Sequence, residues 1–424
     1  MRKRTQRAGL LVAAAVSTAM LTGTAGVVAQ EPVEIELYDL HTVNPGLAWI
    51  QRAADAYKGL NPNVTVKVTV LENEALKDAI AARMQAGDPP DIFQSWGGGL
   101  LRQQVEAGLV KDITADVADV AGEFGGGAMS LFQVDDAQYG LPYNFGLVGL
   151  WYNKDLLAQA GIEAPATTWE EFLTQVQTLK DAGITPISLG GGDQWPSMFW
   201  WAYLATRIAG GEAVDAAVQS GDWTGEPFVR AGQELARLVA LEPFQPGADA
   251  ATHDEQQGTF GNGQAAYMLQ GQWAAGSQRS QSESRTGIPN IGWAQFPAVE
   301  GGAGAITDVF GGGDGFSIGR DAPPEAVEFV KWLLNAENAS IWQAFNDGTL
   351  LPRADSAQFV TDPALQEVLA KRNEATFAQL YLDQATPTNY GTAINEAVAG
   401  LIAGALTPEQ VTQAMTDAAA AAAG

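Results

Sequence analysis

VEIELYDLHTVNPGLAWIQRAADAYKGLNPNVTVKVTVLENEALKDAIAARMQAGDPPDIF, residues 33–93, switches repeatedly between a hydrophobic period of two and a period near four. Val33 to Leu37 and Val64 to Val70 carry apolar residues in alternation or in runs, as strands do. Between them Asn44-Pro45 is expected to cap a helix with Leu47, Ile50, Ala54 and Tyr57 on one face. The next helix places Leu76, Ile80 and Met84 at every fourth position and stops at Gly87. Pro89-Pro90 then leads into a strand at Asp91-Ile92-Phe93. Strand, helix, strand, helix, strand predicts a parallel sheet of the α/β class.

The pattern resumes after Pro142. A strand is expected from Leu147 to Tyr152. Thr168-Trp169-Glu170-Glu171 forms a capping box for a helix through Leu179, and a strand follows from Thr185 to Leu189. Further helices are expected near Ser197 to Ile208, Pro227 to Ala240, Glu325 to Leu334 and Glu367 to Gln379. The Ala-rich tail, Ala418 to Ala423, reads as a frayed helix end. A chain of 424 residues, 46% hydrophobic, exceeds what one core usually supports, so two domains are expected. No internal repeat and no long linker is visible.

The N-terminus places Arg2, Lys3, Arg4 and Arg7 ahead of an apolar run from Ala8 to Leu21, and ends in Val27-Val28-Ala29. That is the pattern of a secretory signal over residues 1–29, cut before Gln30. Loss of those four cations leaves 19 Lys and Arg against 49 Asp and Glu, a formal charge of −30. Such a surface repels nucleic acid and anionic lipid. The absence of cysteine excludes disulfides, thiolate metal sites, cysteine nucleophiles and an acylated cysteine anchor. A soluble periplasmic protein without a lipid anchor is the expectation. The two histidines, His41 and His253, lie far apart in sequence with no HExxH pair and no nucleophile elbow, so no metal, no cofactor and no catalytic residue is expected.

Glycine clusters at 97–99, 190–192 and 311–313 each follow a strand-like segment without the lysine of a phosphate loop or a GxGxxG register. They are either binding-edge loops or tight turns. Trp151, Trp169, Trp332 and Trp342 sit in strand or helix patterns and suit a core. Trp96, Trp195 and Trp273 lie beside Gly, Pro, Gln or Asp, and are the candidate platforms for a ligand. A sugar ring has an apolar C–H face and a rim of hydroxyls. Its site therefore needs flat aromatics with short hydrogen-bonding groups at the edge, for which Asn144, Gln194, Gln272 and Asp314 are placed.

Taken together, PPDIFQSWGGG (89–99), YGLPYNFGLVGLWYNKDLL (139–157), TWEEF (168–172), FGNGQAAYMLQGQWAAG (260–276), GWAQFPAVEGG (292–302) and FGGGDGFSIGRDAPPEAVEFVKWL (310–333) resemble the sugar-binding extracellular solute-binding proteins of ABC importers, the maltose-binding-protein-like group. The resemblance implies a type II periplasmic-binding-protein fold: two α/β lobes around a ligand cleft, joined by three hinge crossings. These are expected near Pro142 to Gly146, Phe296-Pro297 and Leu351-Pro352. Lobe one would hold residues 30–145 and 297–351, and lobe two 146–296 and 352–424. At the sugar it implies His41, Asn44, Trp96, Gly97, Asn144, Trp195, Gln272, Trp273, Gly312, Gly313, Asp314 and Tyr390. It further implies a monomer that captures a carbohydrate by hinge closure and hands it to the importer's permease subunits. Capture of a peptide or polyol phosphate, or an extracellular glycosidase, are the alternatives.

Overall fold

A computed structural model describes residues 31–344, 348–353 and 355–423. The signal sequence expected over residues 1–29 lies outside the described residues. The opening stretch folds as β1 (Val33–Asp39), α1 (Gly46–Leu60), β2 (Val64–Val70), α2 (Asn73–Gln85) and β3 (Ile92–Ser95). β1 pairs with β2 and β3, both in parallel. Leu76, Ile80 and Met84 are the buried residues of α2, as a four-residue apolar spacing requires. α1 differs in two respects: its N-cap is Pro45 with no side-chain cap while Asn44 is exposed, and Trp49 rather than Leu47 is buried beside Ile50, Ala54 and Tyr57.

Beyond β3 the sheet continues with the long strand Asp308–Ile318 and then Phe377–Leu380. A second, three-stranded antiparallel sheet places Gly149–Asn153 between Tyr267–Gln270 and Ile291–Ala294. Side chains alternate across it: Leu150, Tyr267 and Leu269 enter one apolar cluster, while Trp151 and Met268 enter another. Both faces of each sheet are covered. Ile92 and Phe93 of β3 likewise point into different clusters, the second of which contains the apolar face of α2. The molecule is thus two α/β lobes with separate cores, and the large sheet extends from the first toward the second along the long strand Asp308–Ile318.

The strands Gly140–Leu147 and Asp308–Ile318 pair antiparallel and run from one lobe to the other. Leu141, Tyr143, Phe316 and Ile318 belong to the first lobe's core, whereas Val148, Val309 and Phe310 pack in the second. A further passage falls where Leu350 and Leu351 enter cores of different lobes. Along the long strand, Val309 and Phe310 thus lie in second-lobe clusters and Phe316 and Ile318 in the first lobe's. Phe296 and Val299 are buried in the second lobe, and the guanidinium of the fully buried Arg207 explains why. It donates to the carbonyls of Phe296, Ala305 and Ile306 at 3.0–3.4 Å, tying this loop to the helix Trp195–Ala209.

Thr168 and Glu171 form the expected capping box at the start of the helix Trp169–Asp181. Three local expectations change. Thr185 to Leu189 makes only isolated bridges at Ile187, since Pro186 has no N–H to give a ladder. The helix expected to reach Gln379 ends at Glu374, and Phe377–Leu380 joins the large sheet. The Ala-rich tail is not frayed: the helix Pro408–Ala423 is continuous, and Ala418 and Ala419 pack on the second lobe's core.

Candidate functional site

The carboxyl ends of β1, β2 and β3 open on the same side of their sheet, which is where an open α/β sheet presents ligand-binding loops. Residues 40–46, the start of α2 and Trp96 emerge there and form one wall of a cleft enclosing about 1200 Å³ of non-protein space, part of it open to solvent. The opposite wall carries Trp195 and Phe199, His253 and Asp254, Trp273, and Ser277, Ser280 and Gln281. Tyr143, Asn144, Asp314, Thr349 and Tyr381 close its base beside the interlobe strands.

Aromatic rings organise both sides. Trp195 packs on His253 with centroids 5.0 Å apart and meets Trp273 edge to face at 6.1 Å. Tyr381 stacks on Phe199 at 5.2 Å and meets Trp273 at 6.1 Å. Across the cleft, the Lys77 ammonium sits 5.5 Å from the Trp96 ring. The indole Nε1 of Trp273 donates to Gln270 Oε1 at 3.0 Å, fixing that ring's edge.

At the base, Asn144 Nδ2 donates to Asp314 Oδ2 at 2.9 Å and Gln94 Nε2 to Asp314 Oδ1 at 3.1 Å. Tyr143 holds Gln94 in turn, at 2.8 Å, and Leu350 N donates to Asn144 Oδ1, also at 2.8 Å. Burial pushes the Asp314 carboxyl above its ordinary range, against the pull of these donors and of His41. Burial also drives the Tyr381 hydroxyl well above its ordinary value, with Asp314 adding to the effect. His41 Nδ1 lies 2.6 Å from the fully buried Asp39. Among the described residues no group of three or more His, Cys, Asp or Glu is arranged to hold a metal ion.

Several polar atoms lining the cleft have no hydrogen-bond partner among the described residues. Tyr381 Oη, Trp195 Nε1 and Gln384 Oε1 are each buried and unsatisfied. An unmade buried hydrogen bond costs about 1–3 kcal/mol, and the indole Nε1 atoms of Trp200, Trp201, Trp293 and Trp342 in the cores share this state.

Of the residues singled out from the sequence, His41, Asn44, Trp96, Asn144, Trp195, Trp273 and Asp314 line the cleft. Gly97, Gln194, Gln272, Gly312, Gly313 and Tyr390 do not. Gly97 adopts φ +69°, and a Cβ there would strike Leu131 O, so it serves the turn into the helix Gly98–Glu106. Gln272 is fully buried against Gly146. Gly312 makes room for the Tyr381 ring behind the cleft, and Gly313 faces the Asn144 backbone. Tyr390 is packed inside the second lobe, where its hydroxyl accepts from Trp223 Nε1. Tyr381 occupies the place expected of it. Sequence reasoning also missed Glu72, Asn73 and Lys77, although they follow β2 as the loop 40–46 follows β1. His253 and Asp254 carried a signal too, because Thr252 and Glu255 form a capping box.

The model of the bacterial extracellular solute-binding proteins matches residues 42–340. The chain belongs to this family. Among its relatives is an ABC transporter extracellular-binding protein of Pyrococcus horikoshii, 23% identical over 87% of this chain and 81% of that one. A lactose-binding protein of Rhizobium radiobacter is 23% identical, over 77% of this chain and 74% of the relative. A structure from work on xylan utilization by the thermophilic bacterium Caldanaerobius polysaccharolyticus superposes with a TM-score of 0.86 and 27% identity, covering 91% of this chain and 99% of the other. A chitin oligosaccharide binding protein shares the fold with a TM-score of 0.85, at 24% identity over 93% and 100% of the two chains. The two-lobed type II architecture is thus common to this solute-binding protein and its structural neighbours.

Proposed function

We infer that this solute-binding protein captures an oligosaccharide outside the cytoplasm by closing its lobes, and delivers it to the permease of an ABC importer. The observation that carries this reading is the pairing of tryptophan faces with unsatisfied buried polar atoms in one interlobe cleft. Flat aromatics suit the C–H faces of sugar rings, while Trp195 Nε1, Tyr381 Oη and Asp314 suit hydroxyl groups. Relatives named for multiple sugars, maltotriose and lactose support the same class. Trp96 on one wall, with Trp195 and Trp273 on the other, sets aromatic residues on both sides of the cleft, which favours a ligand of more than one ring.

In this proposal the ligand binds one wall first, and contacts from the other stabilise the closed state. Lobe one comprises residues 31–145, 315–344 and 348–353, and lobe two 146–310 and 360–423, with 311–314 as the middle crossing. The protein is monomeric, freely diffusing in the periplasm after cleavage before Gln30, and breaks no bond in its ligand. A ligand that binds only the folded state raises the melting temperature. Thermal-shift measurements across mono-, di- and oligosaccharides should find a stabilising oligosaccharide, confirmed by calorimetry and recovered intact. Silence across the panel overturns the sugar reading, and hydrolysis of the bound sugar overturns the binder reading.

A further inference from the structure

The cleft carries more carboxylates than cations, and every group able to bear positive charge is already matched. Glu72, Asp254, Asp314 and Asp383 line it, against Lys77 and the two histidines. Lys77 Nζ lies 3.2 Å from Glu74 and 3.6 Å from Asp383. His41 Nδ1 is 2.6 Å from Asp39, and His253 Nδ1 is 3.3 Å from Asp254. No lining arginine is present among the described residues. Glu72 and Asp254 stand on opposite walls, so closure brings negative charge to the ligand from both sides.

Resting on the sugar reading, we propose that this cleft selects uncharged oligosaccharides and rejects those bearing uronate groups. A neutral sugar hydroxyl donates to a carboxylate at no Coulombic cost, and the walls offer Glu72 and Asp254 as acceptors beside the aromatic faces. A uronate has no unmatched guanidinium or ammonium to meet, and it is repelled by carboxylates on both walls as closure excludes water. The unsatisfied Tyr381 Oη and Trp195 Nε1 each offer a single neutral donor, which suits a hydroxyl oxygen. A desolvated carboxylate normally requires a bidentate cation, which the cleft does not supply.

The test compares matched pairs by calorimetry on the mature protein: cellotriose and its counterpart oxidised to glucuronate at the terminal C6, xylotriose and glucuronosyl-xylotriose, and galactotriose and trigalacturonate. At low ionic strength the uronate member of any binding pair should be about tenfold or more weaker. The gap should narrow in about 1 M salt, where the Debye length falls to about 3 Å. The double substitution Glu72→Gln, Asp254→Asn, both at partly solvent-exposed positions, should narrow the gap at low salt. Equal or tighter uronate binding by the unaltered protein overturns the proposal, as does a gap indifferent to both salt and the double substitution. If no member of any pair binds, the parent sugar reading falls and takes this one with it. That outcome is distinct from uronate binding, which leaves the parent reading standing.

Discussion

Tyr381 shows how a binding residue is made from packing rather than from its own sequence surroundings. Its ring stacks on Phe199 and sits against Gly312, where a Cβ would overlap it. That leaves its hydroxyl at the cleft with no partner among the described residues. Phenylalanine can fill the same space, so Tyr381→Phe separates fold from recognition. Calorimetry should show sugar affinity reduced by about 0.5–1.5 kcal/mol, with the ligand-free melting temperature unchanged or slightly raised. Lower ligand-free stability at unchanged affinity would assign the hydroxyl to the fold instead. Tyr390, by contrast, already spends its hydroxyl on Trp223 and has none to offer a ligand.

Among the elements, the interlobe ribbon has a composition that matches its task. Gly311 and Gly313 pair with Leu147 and Phe145 of the opposing strand, with the register shifting between Asp314 and Gly315. A Cβ at Gly311 would overlap the carbonyl oxygen of Gly146. Because the obstacle is backbone, it cannot rotate away as a side chain could. Gly311→Ala should therefore lower ligand-free stability by about 1–3 kcal/mol in denaturant unfolding. Gly127→Ala, on the short helix Gly126–Ser130 with open space around its Cβ position, should be neutral or mildly stabilising. Equal effects at the two sites would show that the ribbon has slack at Gly311. Other elements are held by conventional means: the Thr168–Glu171 box fixes one helix start, and Arg207 fixes the loop that follows the small sheet.

At the scale of the molecule, the cores of the two lobes are joined by the ribbon, the passage near Leu350-Leu351 and polar contacts such as Thr388 with Gln103. Lobe closure needs only a few dihedrals at the crossings to change, leaving each core intact. Small-angle scattering should record a smaller radius of gyration at saturating sugar than without it. An unchanged radius, with binding verified in the same sample, would remove closure from the mechanism.

The sequence by itself determined the parts whose signals are local. β1 to β3, the helices between them, the capping box at Thr168 and the core tryptophans Trp151, Trp169 and Trp342 follow from hydrophobic period and turn chemistry. Trp96, Trp195 and Trp273 were legible as candidates from their loop-forming neighbours, and all three lie at the cleft, although Trp195 opens a helix and both it and Trp96 are largely buried. Asn144 and Asp314 were legible as their hydrogen-bonding neighbours. Tertiary structure alone decided that these two side chains, 170 positions apart, bond to each other, and that Tyr381 rather than Tyr390 reaches the cleft. It also decided that Phe310 and Phe316, on one strand, enter different cores. The reason is physical: a residue's partner across a cleft, and the core that claims a loop, depend on contacts between distant segments. Hydrophobic period and local turn chemistry carry no record of those contacts.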